Sequence, residues 1–217
     1  MLQARIIDTC IGAGIALIVA CFFFSNRTNV ACLLGGYLQK MKASIANVFL
    51  TRDQACTLVS GKSLVDEFQH IKKDAFAIRY ELLFHRLNPR HFYTLLSQFE
   101  YCTQTILNLT ESYEWFMAYL EADERERVLQ AAKTSINNIE AVMSGLSQNI
   151  QLPFVPAADV FGDLKQVIIS HPERFATLES NAFGFFSLMY LLTRLNEVLH
   201  EAYVLINTAY ETQKISV

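Results

Sequence analysis

The chain has 217 residues, 52% of them hydrophobic and 18% charged, with a net charge of -3 at neutral pH. That is less charged than an ordinary globular domain, and it leaves no global basic field to attract nucleic acid. Eight glycines and four prolines in this length give little punctuation, which reads as an all-α chain without low-complexity segments. The five cysteines, Cys10, Cys21, Cys32, Cys56 and Cys102, are odd in number and contain no C-x-x-C pair, so they read as scattered thiols rather than a disulfide framework or a zinc site.

The first 24 residues, MLQARIIDTCIGAGIALIVACFFF, carry no charge from Cys10 to Phe24. Counted from Ile6 the run is about 19 residues, which as a helix spans roughly 28 Å, close to one hydrocarbon core. We therefore expect a transmembrane helix within residues 1–27. Asp8, Gly12, Ala16 and Ala20 recur every four residues and form one stripe, and small residues at that spacing let a second membrane helix approach closely. Asp8 heads the stripe, where an ionisable group is a functional candidate. The plain alternative is a carboxylate at a helix start, paired with Arg5. A lipoprotein signal competes, because Ile18-Val19-Ala20-Cys21 fits a lipidation site. Against it, the segment before the run holds an acid beside its one arginine, and Phe22-Phe23-Phe24 follows where a polar tether is usual. Arg27, Lys40, Lys42 and Arg52 follow the run, against Arg5 before it, which places the C-terminal bulk in the cytoplasm.

Residues 28–60 read as a juxtamembrane helix and linker. Val30, Leu33, Leu34, Leu38, Met41, Ile45, Val48 and Phe49 share one helix face, with Lys40 and Lys42 near the expected membrane surface. Residues 61–217 read as a helical bundle. Its first seam is Leu64, Phe68, Ile71, Ala75, Ile78 and Leu82, closed by Asn88-Pro89. The second is Phe92, Leu95, Phe99, Cys102, Ile106, Leu109, Tyr113 and Phe116, and Trp115 and Tyr119 are grouped with this core. Asp123 with Glu126 resembles a capped helix start, followed by Val128, Ala132, Ile136, Ile139, Met143 and Leu146. The stretch 148–172 holds Pro153, Pro156 and Pro172 and leaves room for a short helix around 161–169. The last helix carries Leu178, Ala182, Phe185, Met189, Leu192, Asn196, Leu199, Tyr203, Ile206 and Tyr210. Four long helices with one long connection make an antiparallel bundle.

Two Glu-x-x-His motifs, Glu67/His70 and Glu197/His200, have the spacing of a di-iron bundle site, with Glu100, Glu114 and Glu140 as imaginable partners. Their phase argues against metal: all four flank the core seams, whereas ligands must project inward. No HExxH, GxSxG, Walker A or GxGxxG pattern is present, so we expect no enzyme active site, no cofactor and no metal. Lys72-Lys73, Arg86 and Arg90 read as a solvated face, with contact to anionic headgroups as the alternative.

Arg5-Ile6-Ile7-Asp8-Thr9-Cys10-Ile11-Gly12 has the form Arg-x-x-Asp-Thr-x-x-Gly. With the following helix and the one closing at Leu82-Leu83-Phe84-His85-Arg86-Leu87-Asn88-Pro89, the chain resembles the C-terminal part of the fusaric acid resistance (FUSC) family of bacterial inner-membrane proteins, which includes aromatic-acid efflux components. The resemblance covers roughly residues 4–120, and Asn88 stands where the family has Glu before Pro. It implies a transport (efflux) role, residence in the bacterial inner membrane with a cytoplasmic C-terminal domain, and Arg5, Asp8, Thr9, Gly12, Ala16 and Ala20 as motif and packing residues. Expected partners are membrane lipid and other transmembrane helices or a homo-oligomer, with no nucleic acid. Members carry several membrane helices before this motif, and this chain has one apolar run. A membrane-tethered interaction module without transport, or a lipid-anchored periplasmic helical protein, are the competing readings.

Overall fold

The structure, a computed structural model, describes residues 30–50, 61–77, 89–117, 120–147, 152–156, 169–170, 172–175 and 182–214. The described residues are all-α: helices α1 (Val30–Phe49), α2 (Gly61–Ala77), α3 (Pro89–Phe116), α4 (Ala122–Ser147) and α5 (Ala182–Lys214), with a 3-10 turn at Pro172–Phe175. The expected N-terminal membrane helix lies outside the described residues. Among the described residues no helix is long and apolar enough to cross a membrane.

The apolar periodicity becomes one shared core. Leu64, Phe68, Ile71 and Ala75 of α2 are buried against Leu34, Leu38, Met41 and Ile45 of α1 and the Phe92–Tyr113 seam of α3. Because α1 joins the same core as α2–α5, packing draws no boundary at residue 60. The four long helices form a ring in the order α1, α4, α5, α3, and α2 packs on α3 and α1.

The helix directions differ from the expected antiparallel bundle. Tyr37 meets Thr103 and Phe49 meets Tyr113, so α1 and α3 run the same way. Asn138 meets Asn196 and Gly145 abuts Ile206, so α4 and α5 are parallel too. Gln98 bonds Glu201 while Phe116 lies against Gly184, so α3 and α5 are antiparallel. A seam fixes which face a helix buries but not its direction, and residues 148–181 are long enough to carry the chain back to the start of a parallel neighbour.

The α3–α4 corner is capped locally. The Glu121 amide donates to Glu124 Oε2 at 3.1 Å, half of a capping box, and Arg125 reaches back to the Met117 carbonyl at 3.1 Å. The cap therefore sits two residues before the expected Asp123/Glu126 pair. Asp123 and Glu124 in the first turn complement the helix dipole.

Candidate functional site

Arg5, Asp8, Thr9, Gly12, Ala16 and Ala20 lie outside the described residues, as does Arg86. The other candidates can be placed. The carboxylates of the Glu-x-x-His idea are dispersed over the surface in separate ion pairs: Glu67 with Lys40 at 2.6 Å, Glu100 with Lys72 at 2.7 Å, Glu140 with Lys42 and Glu197 with Arg194. His200 packs its ring against Phe154, with centroids 5.1 Å apart. Among the described residues no group of three His, Cys, Asp or Glu is placed to hold a metal ion.

These pairs also revise the reading of the lysines. Lys40 and Lys42 tie α1 to α2 and α4 rather than standing free near a membrane surface. Lys72 is held by Glu100, which in turn accepts from Gln69 at 3.2 Å. The Lys72 ammonium holds the Glu100 carboxyl below its ordinary range. Trp115 is a correction: it is 74% exposed, because two residues beyond Tyr113 is about 200° around a helix and leaves the seam.

Two buried polar sites stand inside the bundle. At the first, the Tyr37 hydroxyl lies 2.6 Å from Thr103 Oγ1 and 3.2 Å from the Leu64 carbonyl, joining α1, α3 and α2. Thr103 donates its own proton to the Phe99 carbonyl at 2.7 Å. Burial pushes the Tyr37 phenol well above its ordinary range, so the ring acts as a neutral clamp. Cys102, one residue away, is likewise held as a neutral thiol by burial and by the Glu201 charge.

The second site joins α4, α5 and the extended segment Leu152–Pro156. Asn138 is fully buried and pairs with both backbone groups of Val155: the Val155 amide donates to Oδ1 at 3.0 Å, and Nδ2 donates to the Val155 carbonyl at 2.8 Å. The second Nδ2 proton goes to Asn196 Oδ1 at 2.8 Å. Asn196 Nδ2 donates to Ser135 Oγ and to the Leu192 carbonyl, each at 2.8 Å, and Ser135 donates to the Ala131 carbonyl at 3.0 Å. Every donor in this chain is used, as burial demands. The segment has two further holds: Tyr203 donates to the Leu152 carbonyl at 3.1 Å, and Phe154 lies against the rings of His200 and Tyr203.

Asn196 was legible as a core position from its spacing, but its partners Ser135 and Asn138 were not. A lone buried Asn in a seam is itself the signal, since its amide must find partners across the interface. No protein-family model, curated protein or solved structure matches this chain.

Proposed function

We propose that this chain is a segment or subunit of a bacterial inner-membrane transport (efflux) family protein, contributing one packing transmembrane helix and a cytoplasmic helical domain. The observation that carries this reading is Arg5-x-x-Asp8-Thr9-x-x-Gly12 at the mouth of the uncharged run Cys10–Phe24. In this role Gly12, Ala16 and Ala20 bring a sister helix close, and Arg5 and Asp8 neutralise each other at the packed interface. The helical domain supports the reading by its position. Its core opens at Leu34, about ten residues beyond Phe24, so a bundle follows directly on the proposed span. The role is scaffolding and subunit contact, with no covalent chemistry.

The test is tolerance of an aromatic carboxylic acid in a strain lacking the gene. Loss of tolerance, restored by the wild-type chain and not by Gly12→Leu, is the expected result. Unchanged tolerance in the deletion, with a chain that isolates from membranes without any companion helix, overturns transport. It would leave the second reading, a membrane-tethered interaction module, which the exposed Trp115 favours.

A further inference from the structure

The Leu152–Pro156 segment is held in the way an extended peptide is held by a binding groove. Its conformation is set by its own sequence. Pro153 and Pro156 fix their φ angles, and Leu152 and Val155, each preceding a proline, are driven to extended backbone. Its side chains contribute little: Leu152 and Val155 point to solvent, and Phe154 alone is an anchor, lying 5.1 Å from His200 and 5.3 Å from Tyr203 by ring centroids. What binds is backbone. Asn138 takes both groups of Val155, and Tyr203 takes the Leu152 carbonyl. Asn138 is oriented by Asn196, which is oriented by Ser135 and Leu192, so the amide is fixed by the helices and does not depend on the strap for its geometry.

We propose that the α4–α5 groove is a peptide-binding site whose resting occupant is the chain's own strap, and which accepts in trans an extended segment of the same chemistry. That ligand is a proline-flanked stretch with an aromatic residue directly before the residue captured by Asn138. Specificity is low at the solvent-facing positions and resides in the aromatic and in the extended backbone. A proline-stiffened segment loses little entropy on binding, which suits a site with one side-chain anchor. The site is separate from the proposed membrane run and does not rest on the transport reading.

The experiment uses the full chain in detergent with the strap disabled by P153G, F154G and V155G together. The probe is a fluorescent peptide, Leu-Pro-Phe-Val-Pro with both ends capped, followed by anisotropy. The expected result is saturable binding to the strap variant, at least about tenfold weaker for the wild-type chain, whose groove is already filled. A peptide with Ala in place of Phe binds about tenfold more weakly, and adding Asn138→Ala to the strap variant abolishes binding. No saturable binding to a folded strap variant overturns the proposal. Hydrogen exchange of Phe154→Ala, a milder change, keeps the proposal testable if the triple variant does not fold. The Val155 amide is expected to exchange faster while α4 amides around Asn138 stay protected. An unchanged Val155 amide, or α4 and α5 opening together with the strap, makes the segment a fixed part of the core and overturns the proposal.

Discussion

Removal of the Asn138 amide is the sharpest test of the buried network. Asn138→Ala deletes three hydrogen bonds, two to Val155 and one to Asn196. The two strap bonds involve an exposed residue, so water replaces them in part, and each contributes about 0.5–1 kcal/mol net. Asn196 is different. It is only 4% exposed, and its Oδ1 is left without its donor, which costs about 1–3 kcal/mol. The expected loss is about 2–4 kcal/mol, or a fall in Tm of about 5–15 °C. Thermal unfolding of the full chain in detergent, followed by far-ultraviolet circular dichroism, reads it. Asn196→Ala removes the orphan as well as its own contacts, so the double variant N138A/N196A is expected to lose about 1 kcal/mol less than the two single losses summed. A single loss below about 0.5 kcal/mol, or strict additivity in the double variant, would refute the network as described.

Three further outcomes follow from other parts of the bundle. A methyl group at Gly184 would sit 2.8 Å from Phe116 Cδ1 and 3.0 Å from its Cβ, so Gly184→Ala is expected to cost about 1–3 kcal/mol, whereas Gly36→Ala, with nothing within 4 Å, gains about 0.5–1 kcal/mol; paired melts of the two variants check both signs. Iodoacetamide under native conditions is expected to modify exposed Cys32 and leave buried Cys102 untouched, with peptide mass spectrometry as the readout. Glu100 is held low by Lys72, so its pair stabilises the fold above the unfolded carboxylate value of about 4.3 and loses that contribution as pH falls through the lower folded value. Because both groups are partly exposed, the effect is about 0.2–1 kcal/mol, and Lys72→Met is expected to flatten stability against pH in that acid window when urea melts are compared.

Much of the helical architecture is readable from spacing alone. Leu64, Phe68, Ile71 and Ala75 alternate by four and three and are all buried, as are Phe92, Leu95, Phe99, Cys102, Ile106, Leu109 and Tyr113. What spacing does not encode is which faces meet and in which direction. The parallel α4–α5 pair depends on contacts such as Asn138 with Asn196, which are 58 positions apart. The same limit applies to the strap. Pro153 and Pro156 mark Leu152–Pro156 as extended, but its docking on Asn138 and Tyr203 is a tertiary fact with no local signature. Trp115 shows the opposite error: its neighbours Tyr113 and Phe116 are on or beside the seam, while its own phase points outward, and phase decides. The Glu-x-x-His pairs were dismissed on phase, and Glu67 and Glu197 indeed end in surface ion pairs.

The account turns on residues 1–27 spanning a membrane ahead of the bundle. The most direct measurement is carbonate extraction of membranes carrying the chain, combined with a C-terminal topology reporter and intact-mass analysis. An uncleaved chain that stays in the pellet, with its C-terminus in the cytoplasm, is the result the account predicts. A soluble chain, or a mature chain beginning at a lipidated Cys21, would contradict it.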